Sequence, residues 1–304
     1  MNGAIIIRFL TPYISSITRD QDFVHSPLPL DGALAHAAYW QALVAGRVAD
    51  SPTGGRADPT LMKKHVTPVL NQVFDLVPLG HKKLLNNDKI KEKVYAVSSG
   101  FPLVQDRLYV KRGAGWSDLV TKDPLHLDYE VQPIRKRVTI GRLSMLNLSL
   151  VSEHGKPLTS EPETGKGILK AIDNRVTTWQ MYEYLWLAEI RDQDRLETLL
   201  EVLKHQGMGK KRTAGFGKIL DYDILKEKEL KQRFPSLKVK RQLFLDDDGK
   251  HTLLRPLPYD AIMLVPGRVV MTNLMVESGC GYRPPYWSDR RVVVREGTNF
   301  RFLN

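Results

Sequence analysis

Apolar positions gather at the two ends of this chain and thin out in its middle. Residues 4–10, Ala-Ile-Ile-Ile-Arg-Phe-Leu, make a short apolar run that reads as a strand. Pro27 and Pro29 keep the next turn extended, after which Ala33, Leu34, Ala37, Ala38, Gln41 and Ala42 predict a helix over 30–44. Asp31 sits where it can cap that helix or favour its dipole. From 45 to about 170 the regularity is lost to Gly, Pro and charge, with short strands suggested only at 93–97, 107–111 and 138–150. Segments 49–59 and 152–167 hold too few apolar side chains to pack, and are expected to be mobile without a ligand.

The pattern returns at 178–190, an apolar aromatic strand. A helix follows over 192–206, with Leu196, Leu199, Leu200 and Leu203 at helical spacing, and then an alternating strand over 216–225. The order is therefore β, α, long insertion, β, α, β. One more strand, taken from the insertion, completes an α+β, ferredoxin-like (RRM-like) βαββαβ sheet with both helices on one face, spanning residues 1–225. Beyond it, 237–245 and 251–257 predict a hairpin around Asp246-Asp-Asp-Gly249, and 259–276 holds further strand, giving a smaller β-rich part over 226–304. The aspartate run is a turn rather than a calcium loop, because Phe244 stands where the first acidic ligand would be needed.

Charge narrows the partners. The 304 residues carry 45 Lys+Arg against 34 Asp+Glu, a formal charge of +11, which attracts polyanions. Basic clusters at 63–64, 82–83, 89–93, 107–112, 135–142 and 226–241 spread that excess along the chain, and any one of them alone would be an ordinary solvated face. Cys280 is the lone cysteine, so no intrachain disulfide forms, and the histidines lack thiolates at zinc spacing. Neither a metal nor another cofactor is expected. A cytoplasmic location fits that cysteine usage. The apolar start is short, broken by Arg8 and without a basic leader, and no run approaches the length of a membrane helix, so no membrane partner is expected.

The densest chemistry lies in Gly207-Met-Gly-Lys-Lys-Arg-Thr-Ala-Gly-Phe-Gly-Lys218, a predicted helix-to-strand connection. Gly207, Gly209, Gly215 and Gly217 let backbone pass close to an anion with amides exposed, while Lys210, Lys211, Arg212 and Lys218 supply charge. Nucleotide-binding glycine loops instead follow a strand and open a helix. The spacing fails those signatures too, since Arg212 occupies both the first Walker glycine position and the third Rossmann one. The competing reading is a C-capped helix with Gly207 as cap and merely solvated cations; a single cap does not call for three more glycines.

Such a sheet, with a Gly-x-Gly-basic-basic-x-x-x-Gly-x-Gly loop before its last strand, resembles the RAMP superfamily of CRISPR-associated proteins. Leu30-Asp-Gly-Ala-Leu-Ala35 is similar to the helix opening of the type IV effector subunit of the fifth Cas family. Ala171-Ile-Asp-Asn-Arg-Val-Thr-Thr-Trp179 is similar to an Ile-Asp-Arg-x-Thr-Gly segment of type III and type IV members, with Asn174 interrupting the order. Gly281-Tyr-Arg-Pro-Pro-Tyr-Trp287 resembles that type IV subunit's aromatic-proline signature. The resemblance implies a non-catalytic subunit that grips the 5′ handle of the CRISPR RNA and caps a filament of backbone subunits, beside a large subunit and possible target DNA. A five-family subunit of a type III complex is the neighbouring alternative. The four loop glycines and four loop cations would then hold guide phosphates, fixing register without reading sequence. Lys170 and Arg175 would add contacts, and Tyr286 and Trp287 would stack on displaced handle bases unless they pack under a loop.

Relatives in the superfamily include metal-independent ribonucleases with a histidine near the first helix. His25 and His36 lie near that position, and with Lys210 or Arg212 on the phosphate they would be the groups for proton transfer. His36 stands among alanines on a helical face, where a packed or surface histidine is the commoner outcome. No Ser-His-Asp or paired-carboxylate pattern stands out.

Overall fold

Ile5, Ile6 and Ile7 are wholly buried in the first strand, β1 (Asn2–Phe9), and the main sheet is built around them. The computed structural model describes residues 2–11, 13, 29–45, 76–83, 93–113, 115–125, 130–136, 172–178, 183–209, 215–240, 243–247, 250–259, 268–281 and 290–303. After β1 come α1 (Asp31–Val44), β2 (His81–Lys83), β3 (Lys93–Tyr95), β4 (Phe101–Val104), β5 (Arg107–Arg112), β6 (Gly115–Asp118), β7 (Glu130–Lys136), β8 (Ile172–Thr178) and β9 (Glu183–Glu189). There follow α2 (Gln193–Gln206), β10 (Ile219–Lys226), α3 (Glu227–Arg233), β11 (Val239–Lys240), β12 (Phe244–Asp247), β13 (Lys250–Leu253) and β14 (Leu257–Pro258). β15 (Arg268–Asn273), β16 (Val276–Gly281), β17 (Arg290–Val294) and β18 (Asn299–Leu303) complete the described elements.

The chain is an α+β protein with a six-stranded antiparallel sheet in the order β10-β1-β9-β4-β5-β6. Side chains alternate between faces along a strand, so the full burial of Ala4, Ile5, Ile6 and Ile7 means that both faces are covered at β1. Tyr184 to Ala188 of β9 are buried in the same way. Such strands read as continuous apolar runs, which is why both were legible in the sequence.

Strand β4 was not expected, because Pro102 lies inside it. The proline is tolerated because β4 pairs with β9 through Phe101 and Pro102, and with β5 only through Leu103 and Val104. Strand β7 was missed for a related reason: Pro133 interrupts it, yet β7 pairs with β8 alone, in a two-stranded ribbon. Part of the expected insertion thus belongs to the main sheet. The expected strand at 138–150 and the segments 49–59 and 152–167 lie outside the described residues.

Helix α2 buries Leu196, Leu199, Leu200 and Leu203, and Asp192 Oδ1 caps its start by accepting from the Arg195 amide at 2.9 Å. Helix α1 packs against α2. Asp31, completely buried, accepts from the Gly32 amide at 2.8 Å and meets Arg255 Nη2 at 3.3 Å. Arg255 also donates to Tyr95 O at 2.7 Å, next to Val97, which bridges to Ala188 near the end of β9. The start of α1 is thereby fixed at one end of the sheet.

The C-terminal strands form a five-stranded sheet, β11-β12-β13-β18-β15, and a three-stranded sheet, β14-β17-β16. The main hydrophobic core runs across residue 226, since Leu230, Phe234, Leu237, Leu245 and Leu254 join it. A smaller core joins Val94 of β3 to Leu243, Leu253, Leu257, Val293, Val294 and Phe300 of the later part. Glu296, buried between Lys111 at 3.8 Å and Arg295 at 3.0 Å, ties the turn before β18 to β5. Among the described residues no helix is long and apolar enough to cross a membrane.

Candidate nucleic-acid interface

The last apolar residue of α2, Leu203, accepts the Gly207 amide at 2.7 Å, and Gly207 leaves the helix at a φ of 72°. Met208 N then donates to Gly217 O at 2.8 Å, so the chain that left the helix meets its own return. A Cβ on Gly217, whose φ is 66°, would sit 1.8 Å from Met208 O, and one on Gly207 would sit 2.9 Å from Gly217 O. Glycine at both feet is what allows the two backbones to cross. Gly209 (φ 82°) is exposed, and Gly215 (φ 90°) has open space where a side chain would begin. Both take a left-handed backbone, and at Gly215 that alone, rather than a close approach, calls for glycine.

The returning foot is tied to the end of β1. Lys218 N donates to Thr11 Oγ1 at 2.9 Å, and Leu10 N donates to Lys218 O at 2.8 Å. The Lys218 side chain is exposed. Gly207, Gly209, Gly215, Gly217 and Lys218 are therefore brought together, at the end of the sheet away from the start of α1. The amides of Gly207, Met208 and Lys218 are engaged by protein acceptors. Gly207 is the helix cap of the plainer sequence reading, and it is also half of the crossing.

Lys210, Lys211, Arg212, Lys170, Tyr286, Trp287 and His25 lie outside the described residues. Arg175 belongs to β8, opposite Pro133 of β7 and apart from the main sheet. Segment 172–178 is thus a strand itself, rather than only the lead-in to one.

Several cations, inside and outside the basic clusters, are engaged within the fold. Arg8 lies 3.2 Å from Glu183 and 3.8 Å from Asp221 and is hydrogen-bonded to Asp223; that bond in particular raises its already high pKa. Lys204 reaches the same Asp221 at 3.7 Å. Lys231 pairs with Glu227 at 2.6 Å and Arg233 with Asp106 at 2.6 Å, while buried Lys111 stands over the Trp116 ring. Tyr184 and Trp186, in the central strand β9, are buried and so offer bases no stacking surface. His36 accepts the Trp40 indole N–H on Nε2 at 3.0 Å, so that lone pair is engaged. Among the described residues no group of three or more His, Cys, Asp or Glu side chains could hold a metal ion.

Sequence reasoning missed Thr11. It lies 207 positions from its partner, and a threonine after a strand carries no local signal of that contact. No family model matches the chain, and no curated protein matches it.

Proposed function

We propose that this protein is a non-catalytic RNA-binding subunit of a type IV CRISPR effector, which grips the 5′ handle of the CRISPR RNA with its glycine loop and caps the backbone filament. The observation that carries the reading is the crossing of Gly207 and Gly217, which holds the two ends of segment 208–217 together beside exposed Lys218. Lys210, Lys211 and Arg212 fall within that loop, so three further cations belong to a segment whose two ends are held together. The order β10-β1-β9-β4, with α1 and α2 packed on each other, is the order a ferredoxin-like βαββαβ sheet requires, and so supports the RAMP reading. A closed sheet centre agrees with a grip made by loops, and the net charge of +11 agrees with a polyanionic partner.

The test is a salt titration of binding to labelled repeat-derived RNA in EDTA. Four phosphate contacts on a single strand give a log-log slope of about −3. Joint replacement of Lys210, Lys211 and Arg212 by Ala should bring it to about −1. An unchanged slope rejects the contact assignment. Specific cleavage of the RNA in EDTA, lost in His25→Ala or His36→Ala, would replace the reading with a metal-independent ribonuclease.

A further inference from the structure

We infer that Thr11 is a positioning residue for the glycine loop, and that RNA affinity depends on its hydroxyl although it touches no phosphate in this assignment. The inference rests on the RNA-binding reading above. Its basis is the unequal way in which the loop's two feet are held. The departing foot is an extension of α2: Gly207 caps the helix, and Met208 follows directly. The returning foot belongs to no helix, and two contacts from beyond the end of β1 fix where it emerges. One is the Leu10 amide on Lys218 O at 2.8 Å, a backbone bond that any residue but proline could make. The other is the Lys218 amide on Thr11 Oγ1 at 2.9 Å, which needs a side-chain acceptor at position 11.

The pairing of β1 with β10 is irregular here: Arg8 faces Asp221, whereas Phe9 faces Ile219, so the regular ladder shifts just before the loop. Beyond that shift the hydroxyl of Thr11 takes the place of a ladder acceptor. Because Lys218 is itself one of the assigned phosphate contacts, the bond that orients its backbone also sets where its exposed side chain departs. Loss of the acceptor leaves the crossing of Gly207 and Gly217 intact but frees the last residue of the loop, so fewer cations reach the same strand at once.

Thr11→Val removes the acceptor and keeps the shape; Thr11→Ser keeps the acceptor. For Thr11→Val we expect faster hydrogen exchange at the Lys218 amide, affinity for labelled repeat RNA lowered on the order of threefold to tenfold, and a shallower salt slope. Thr11→Ser should bind within about twofold of the parent, as the bond is preserved. A Thr11→Val protein with parental affinity and slope, alongside a Lys210, Lys211 and Arg212 triple variant that has lost binding, overturns this inference and leaves the RNA-binding reading standing. If both variants bind like the parent, both fall. Equal loss in Thr11→Val and Thr11→Ser also overturns the role given to the hydroxyl.

Discussion

Gly217 carries two constraints at once, a left-handed backbone and a carbonyl oxygen 1.8 Å from where its side chain would start. Gly215 carries only the first. Alanine at 215 should therefore cost about 1–2 kcal/mol of stability, from the left-handed φ alone, and alanine at 217 about 3 kcal/mol or more. Urea unfolding of the two variants, with unchanged denaturant dependence, measures that difference. Glu296 gives a second prediction at this scale. Burial pushes its carboxyl up, but Arg295 and Lys111 more than offset this and hold it at about 2 against an ordinary 4.5. A depressed folded-state pKa means that its stabilisation is fully present above about pH 4.5 and is lost as pH falls toward 2. The loss is about 3 kcal/mol over that window, and unfolding of Glu296→Gln should lack this part of the acid sensitivity.

At the scale of elements, the start of α1 is held by a contact 224 positions away, between Asp31 and Arg255, both completely buried. Removing one partner leaves an unpaired buried charge, so Asp31→Ala should cost about 3–5 kcal/mol. An Asp31→Ala, Arg255→Met double variant should recover more than half of that, because no charge is then stranded. Chemical denaturation of both proteins tests the pair. Asp192→Ala makes a useful contrast: it removes only the exposed cap of α2, at about 1 kcal/mol. These elements also show what kind of residue misleads a reader of sequence. Pro102 and Pro133 lie inside β4 and β7, and each strand places its proline where one side of the ladder is absent.

For the molecule as a whole, the consequential fact is that its main core ignores the boundary at residue 226. Leu230, Phe234, Leu237, Leu245 and Leu254 complete that core, so a fragment ending at 226 would expose it. Such a fragment should bind a hydrophobic dye and lose near-ultraviolet circular dichroism; a cooperatively unfolding fragment would show that the sheet stands without its C-terminal cover. Charge acts at the same scale. The excess of +11 is a property of the chain, but Arg8, Lys111, Lys231 and Arg233 already have carboxylate partners, so the field that meets an approaching anion is set by where the remaining cations emerge.

Local pattern determined the elements whose causes are local: β1 and β9 from unbroken apolar runs, α2 from its leucine spacing, and the glycine loop from composition. It also marked Gly207 as a helix end. The crossing that makes Gly207 and Gly217 one clasp was decided only in three dimensions, as was the bond from Lys218 to Thr11. The same holds for the burial of Asp31 against Arg255, and for the choice of β4 as neighbour to β9. The crossing is short in sequence and is set by backbone conformation, whereas each of the others joins residues more than eighty positions apart. Periodicity records which face of an element is apolar, whereas the partner that covers that face is settled by packing between elements that no local window contains.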